Sequence, residues 1–243
     1  MKDNLKPTVL ITGGGRGIGR AVSVYLGSLG YPIAITYVRN QNAANETVKQ
    51  ITDAGGQSFC YQHDVRDISS INNLLNKIEK NLGLVGVLVF NAGLGIVMPT
   101  EKVDQPHWNE VIDTNLSSAF FMTQSVTPGM IEREYGRLIF MSSIAARVGG
   151  VISAPYAASK AGLEGLCHYF GANLIKHKIS SNCIAPAFID TDMIAAVNIS
   201  NISAMPLGRL GYPSEVASVV ELLINNPYIN GQTLHVNAGR YMT

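Results

Sequence analysis

Charge is what this chain has least of. Only 14% of its 243 residues are Asp, Glu, Lys or Arg, and the net charge is +1. The basic residues form no run, which argues against a nucleic-acid surface or a polybasic membrane anchor. Cysteine is also scarce. Cys60, Cys167 and Cys183 are odd in number, far apart and without C-x-x-C spacing. That disfavours a disulfide framework and predicts reduced thiols in a cytoplasmic protein. The five histidines show no metal-ligand spacing, so no metal is expected. The first residues lack the apolar core of a signal peptide. The most apolar run, residues 82–90, is too short to span a bilayer and reads as a buried strand and its approach. With 47% apolar residues and so little charge, part of the surface is expected to be covered by subunit contacts.

What the chain does have is alternation. Short apolar runs at residues 8–12, 33–37, 57–61, 85–90, 137–141, 180–184 and 233–236 read as strands. Between them, helical patterns cover 18–29, 42–54, 68–81, 108–124, 154–176 and 214–223, with Pro128 expected to end or kink the helix over 108–124. Parallel strands need such crossovers. The fold class is therefore α/β, a doubly wound sheet of about seven parallel strands with helices on both faces. No linker or repeat interrupts residues 1–243, which read as a single domain.

The glycine-rich turn Thr12-Gly13-Gly14-Gly15-Arg16-Gly17-Ile18-Gly19 falls between the first strand and the first helix. There, glycines permit a tight turn and let backbone approach a pyrophosphate at a helix N-terminus, so Gly13, Gly15, Arg16, Gly17, Ile18 and Gly19 are candidate dinucleotide ligands. NAD sites carry an acid at the end of the second strand. Here that stretch ends Tyr37-Val38-Arg39-Asn40, without one. A carboxylate would repel a 2′-phosphate, whereas Arg can fork onto it, so Arg39 and Asn40, with Arg16, point to NADP(H). The alternative is that both arginines are solvated surface residues.

Tyr156 and Lys160 stand four residues apart, on one face of a predicted helix, downstream of Ser142 and Ser143. A nearby ammonium favours the phenolate and lowers a tyrosine pKa, and a serine hydroxyl could hold a carbonyl oxygen beside the phenol. Together these residues suggest the acid side of a carbonyl reduction. Taken alone, the pair is a pattern that chance readily supplies, and a surface helix with an aromatic next to a solvated Lys is the better explanation of it.

Taken together, Thr12-Gly13-x-x-x-Gly17-x-Gly19, Asp64-Val65, Asn91-Ala92-Gly93, Asn115, Ser143, Tyr156-x-x-x-Lys160 and the Pro186 segment resemble the short-chain dehydrogenase/reductase family over nearly the whole chain. Residues 184–193, Pro206-Leu207-Gly208-Arg209 and 231–237 are most similar to 3-oxoacyl-[acyl-carrier-protein] reductases. The resemblance implies a Rossmann-like fold and NADPH-dependent reduction of a 3-oxoacyl thioester, carried by acyl carrier protein or coenzyme A. It implies that Tyr156 is the general acid, that Lys160 lowers the Tyr156 pKa and binds the nicotinamide ribose, and that Ser143, preferred over Ser142 by its interval to Tyr156, orients the carbonyl. Asn115 would sit at a helix irregularity and hold a water that relays protons to Lys160. Asp64 and Val65 would hold adenine, Asn91, Ala92 and Gly93 would line the ribose, and Pro186, Ile189 and Thr191 would meet the nicotinamide. A homotetramer is also implied.

Two positions and one segment depart from the pattern: Ala187 and Ala238 replace customary glycines, and the substrate lid around 190–206 is short. Ala187 would either narrow the space beside the nicotinamide or alter the turn. Ile194, Val197, Ile199 and Ile202 would face into that lid, with Asn198, Asn201 and Ser203 outside. Ile144, Val148, Ile152, Ala187 and Phe188 form the expected apolar pocket wall. Arg133, Arg137, Arg147, Lys176 and Lys178 are candidates to meet an acidic carrier protein. Reduction of another ketone, or oxidation of an alcohol, and a non-catalytic NADPH-binding scaffold are the rival readings.

Overall fold

In the computed structural model, which describes residues 6–195, 197 and 205–242, every strand-like run is a strand. β1 (Thr8–Ile11) is followed by α1 (Gly17–Ser28), β2 (Ile33–Tyr37) by α2 (Gln41–Asp53), and β3 (Ser58–Gln62) by α3 (Ile71–Leu82). β4 (Val85–Phe90) leads to α4 (Gln105–Ile112) and α5 (Ser118–Glu132), and β5 (Gly136–Met141) leads through the one-turn α6 (Ala145–Val148) to α7 (Ala154–Leu174). β6 (Ile179–Pro186), α8 (Asp192–Ala195), α9 (Pro213–Asn225) and β7 (Thr233–Val236) complete the chain. All neighbours pair in parallel, in the order β3-β2-β1-β4-β5-β6-β7.

The central strands are buried on both faces, and the period of two divides their side chains between two cores. Val9, Ile11, Val87, Val89, Ile139 and Met141 pack under α1, α2 and α9. Leu10, Leu88, Phe90, Leu138 and Phe140 pack under α3, α5 and α7. In the second core the Phe140 ring stacks on Phe170 of α7, with centroids 6.3 Å apart, and Phe170 on Phe120 of α5 at 6.2 Å. These contacts fix α7, which carries Tyr156 and Lys160, against β5.

Two helical expectations change. The helix predicted over 108–124 begins earlier, at Gln105, and the irregularity expected at Asn115 is a π-helical turn at Asp113–Ser117. Pro128 neither ends nor marks the end of α5, which runs on to Glu132. Proline removes one intrahelical donor there. Thr123, Ser125 and Thr127 also turn their hydroxyls onto the carbonyls four residues back, of Ala119, Phe121 and Thr123, at 2.6–2.9 Å. Of the expected lid, Ile199, Ile202, Asn198, Asn201 and Ser203 lie outside the described residues.

Ala238 has φ 53°, in the left-handed region where a Cβ crowds the carbonyl. Ala238→Gly is therefore expected to stabilise the fold by about 1 kcal/mol, after allowing for the added freedom of the unfolded chain. Thermal unfolding should show a Tm rise of roughly 2–4 °C. An unchanged or lower Tm would show that the strain is offset elsewhere.

Candidate active site

The strand order reverses between β1 and β4, so their connections leave to opposite sides and a crevice opens at their carboxyl ends. The glycine turn enters that crevice. Gly17 has φ 53°, and a Cβ there would come within 3.2 Å of Thr191 Cγ2. A Cβ at Gly19 would overlap the carbonyl oxygen of Gly13, so only glycine lets α1 start this close to β1. No side chain caps the start of α1 at Arg16. Its first-turn N–H groups therefore remain available to an anion, which is what a pyrophosphate requires. Arg20, which sequence reasoning missed, braces the turn: its guanidinium donates to Gly15 O at 2.8 Å and to Ala43 O at 3.0 Å.

The opposite wall of the crevice is held by a polar link between β4 and β1. The Asn91 Nδ2 donates to the carbonyls of Thr12 (3.0 Å) and Gly13 (3.2 Å). The Thr12 hydroxyl accepts from the backbone N–H groups of Asn91 (3.0 Å) and Ala92 (2.9 Å). The side chain of Asn91 thus ties strand ends together while Asn91 and Gly93 line the cleft. Thr12 was part of the motif, but only its buried pairing shows what it does.

Tyr156 and Lys160 emerge on one face of α7 into the same cleft as Ser143, which stands just past β5. Lys160 Nζ donates to Met141 O at 2.7 Å and lies 5.5 Å from the centre of the Tyr156 ring. Ser143 Oγ accepts from Ala145 N at 3.2 Å. Here the electrostatics differ from the simple expectation. Burial raises the Tyr156 pKa above its ordinary value, opposed in part by a hydrogen bond with Ser143. Burial also pushes Lys160 down to about 8. Desolvation disfavours both charged forms, so burial rather than the neighbouring ammonium sets the direction of the tyrosine's shift.

Asn115 lies in the π turn and is fully buried. Its side chain is occupied: Oδ1 accepts from Leu94 N at 2.7 Å, and Nδ2 donates to Leu94 O and Ser159 Oγ, each at 3.0 Å. It therefore clamps the loop after β4 onto α7. Gly95, in that loop, was also missed. A Cβ there would sit 3.2 Å from Met193 Sδ and 3.4 Å from Tyr156 Cε2, so this glycine keeps the floor of the cleft open.

The outer candidates are dispersed around the crevice. Arg39 is exposed just beyond β2 and makes no ion pair among the described residues. Asn40 caps α2, accepting from Ala43 N at 2.9 Å. Arg16 instead reaches Asp192 at the start of α8, 3.6 Å away, so it bridges the glycine turn and the lid base. Asp64 pairs with Arg66 at 2.7 Å, which holds its carboxyl below the usual range, and the Val65 side chain is buried in the core. Ile189 is buried, Thr191 Oγ1 donates to Ile189 O at 3.2 Å, and both line the cleft with Pro186.

Ile144, Ile152, Ala187 and Phe188 line the cleft as expected, but Val148 does not; Val151 takes that place. Ala187 keeps an ordinary backbone and bonds Val236 O at 3.0 Å. Its methyl therefore narrows the cleft without altering the turn. The expected docking cations do not assemble. Arg133 and Arg137 bind backbone carbonyls near the starts of β4, β5 and β6, at the opposite end of the sheet. Lys178 pairs with Glu134 at that same end, beside Lys176, and Arg147 is paired with Glu164. Parallel strands put their N- and C-terminal ends on opposite edges, so residues starting strands cannot reach a cleft at their ends.

Burying Lys160 has a pH signature. Its unfolded-state pKa near 10.5 falls to about 8 on folding. The resulting cost is on the order of 1–3 kcal/mol, is fully felt below pH 8, and is relieved as pH rises from 8 towards 10.5. Lys160→Met should therefore raise stability at pH 7 without added cofactor, with the gain shrinking by pH 10. Denaturant unfolding at both pH values checks this; a pH-independent difference contradicts it.

The family model for short chain dehydrogenase matches residues 7–201. The chain is 34% identical over 241 residues to 3-oxoacyl-[acyl-carrier-protein] reductase of Staphylococcus aureus (strain N315), covering 97% of this chain and 98% of that relative. It is 36% identical over 239 residues to the enzyme of the same name from Escherichia coli (strain K12), covering 96% of each. Among solved structures, a 3-oxoacyl-[acyl-carrier protein] reductase from Brucella melitensis superposes with TM-score 0.89 at 30% identity, over 98% of this chain and 93% of that one. A candidate gluconate dehydrogenase from Agrobacterium tumefaciens superposes with TM-score 0.91 at 30% identity, over 97% and 96%. With a glycine turn built for a dinucleotide and Ser143, Tyr156 and Lys160 meeting in one cleft, the chain belongs to the short-chain dehydrogenase family of nicotinamide-dependent oxidoreductases.

Proposed function

We propose that this protein reduces a 3-oxoacyl thioester to the 3-hydroxyacyl product with NADPH, in the cytoplasm. The observation that carries the reading is that Ser143, Tyr156 and Lys160 meet in one cleft with an apolar wall of Ile144, Ile152, Ala187 and Phe188. NADPH, when held in this cleft, would supply the hydride. The chain's residues do the rest. Ser143 donates to the substrate carbonyl oxygen and holds it against Tyr156. Tyr156 transfers its phenolic proton to that oxygen as negative charge develops there. Its raised pKa keeps the donor loaded across neutral pH. Lys160 binds the nicotinamide ribose and carries a replacement proton towards the phenol, while Asn115, whose amide is taken up by Leu94 and Ser159, holds the wall behind Lys160 rather than a relay water through its side chain. The uncapped start of α1, with Gly13, Gly15, Gly17, Ile18 and Gly19, takes the pyrophosphate. Asn91, Ala92 and Gly93 line the ribose, Asp64 and Val65 lie along the adenine, and Pro186, Ile189 and Thr191 meet the carboxamide.

Arg39 favours NADP(H) because it is an exposed cation beyond β2 with no carboxylate partner among the described residues. Residues 190–206 act as a short cover over the substrate, within one domain. Four copies assemble through α5 and α7, where Phe120, Phe121 and Leu166 are only partly covered and Tyr169 is 59% exposed. Among the described residues, no helix is long and apolar enough to cross a membrane. The name shared by the sequence relatives supports a 3-oxoacyl substrate on acyl carrier protein. The dispersal of the expected basic residues favours keeping coenzyme A thioesters and other ketones in the same trial.

NADPH and NADH oxidation should be followed in parallel with acetoacetyl-CoA, 3-oxoacyl carrier protein and simple ketones. The expected result is turnover of a 3-oxoacyl thioester with NADPH preferred; no oxidation with either thioester overturns the substrate assignment. Tyr156→Phe should lower kcat by about 10²–10⁴-fold while NADPH binding is preserved. Arg39→Glu should raise the KM for NADPH about tenfold or more and leave that for NADH nearly unchanged. Equal effects on both coenzymes would remove Arg39 from phosphate recognition.

A further inference from the structure

Glu164 is a buried carboxylate with no part in the chemistry above. It stands one turn beyond Lys160 on α7 and is 5% exposed. Oε2 lies 2.7 Å from Arg147 Nη2, and Oε1 lies 3.3 Å from the Ser142 hydroxyl. Ser142 immediately precedes Ser143, and Arg147 follows it by four residues, in α6. One carboxylate therefore grips the chain on both sides of Ser143.

The rest of the segment is held just as closely. Ser142 Oγ shares its proton between Glu164 and Lys160 O, the latter at 3.1 Å. Ser142 N bonds Ile184 O at 2.8 Å, and Ile144 N bonds Pro186 O at 3.0 Å. Those two bonds fasten the segment to β6, and Lys160 Nζ reaches Met141 O just before it, but among the described residues only Glu164 makes an ion pair between the segment and the helix that carries Tyr156 and Lys160. The pair is half-buried, with the carboxylate inside and the guanidinium partly in water, and desolvation of the carboxylate offsets much of the attraction, so its net contribution to stability is small. Its directional, charge-assisted hydrogen bonds are better suited to fixing geometry.

We propose that Glu164 and Arg147 are positioning residues for Ser143: their ion pair sets where the Ser143 hydroxyl stands relative to Tyr156, without touching substrate. The proposal rests on the role given to Ser143 above. A displacement of about 1 Å at such a group can cost about 10²-fold in rate. The pair couples the segment before the cleft wall to α7, so the distance between the two catalytic hydroxyls is controlled from behind the site.

The test is a set of cycles on the wild-type reaction, using whichever ketone of the panel is turned over fastest with NADPH. Arg147→Met and Glu164→Gln are made singly and each together with Ser143→Ala. Folding is checked by Tm and NADPH binding. Each single variant should lower kcat about tenfold, with the Kd for NADPH within about twofold of wild type. Arg147→Lys should recover part of the loss. In the Ser143→Ala background, assayed at high enzyme concentration, the same substitutions should add less than about a twofold loss, because the hydroxyl they place is gone. Wild-type kcat in folded single variants overturns the proposal, as does a loss that multiplies fully with that of Ser143→Ala. If Glu164→Gln does not fold, Arg147→Met carries the cycle, since its side chain is 40% exposed. Full activity of Ser143→Ala would remove the role of Ser143 and the proposal together. A crippled Ser143→Ala beside a normal Arg147→Met would remove the proposal alone.

Discussion

The link between Thr12 and Asn91 is the constraint on which the site depends. It joins β1 to β4 where the sheet order reverses, and two parallel strands there would otherwise be free to splay at their ends. Because the ends stay together, the glycine turn leaves β1 on one side and the loop bearing Gly93 and Gly95 leaves β4 on the other. The crevice between them has a fixed width. Gly19 then lets α1 begin against the strand end, and the open N–H groups of its first turn face the same space. Replacing any of these contacts by a bulkier or unpaired group would move the turn before it altered any catalytic residue.

Burial is the second organising force, and it works against charge. Lys160 and Tyr156 are buried in the cleft wall, where desolvation makes the ammonium easier to deprotonate and the phenol harder to ionise. A protonated phenol is what a proton donor to a carbonyl needs, so the condition that strains the lysine suits the tyrosine. The π turn serves the same wall. By interrupting the regular helix at Asp113–Ser117 it brings Asn115 inward, where its amide satisfies the loop after β4 and Ser159 on α7. The polar groups are therefore paired with one another rather than left in an apolar surface.

Much of this was legible in the residues. Alternation of short apolar runs with amphipathic stretches predicted all seven strands, because a strand buried on both faces has no polar side to disguise it, as Val85–Phe90 shows. The Tyr156–Lys160 spacing predicted a shared helical face, since four residues make about one turn. The break at residues 113–117 was not readable from periodicity, because a single wide turn hardly disturbs the apolar pattern around it. Pro128 misled for a related reason: its local cost is real, but packing of Ala119, Met122, Val126 and Met130 carries the helix past it. The basic residues misled because a linear chain does not show which end of the sheet a residue occupies.

The sequence by itself determined the alternation, the glycines that must carry no side chain, and the identity of the hydroxyl, phenol and ammonium groups. These follow from local sterics and from chemistry that each residue brings wherever it is placed. Only the tertiary structure decided which of those groups meet and in what dielectric. It turned Arg16 towards Asp192, took Val148 out of the cleft and put Val151 in, and drew Glu164 from a helix surface into a contact behind Ser143. Such outcomes depend on distances between residues far apart in the chain and on how much water remains around them, and those quantities exist only once the sheet and its helices have packed.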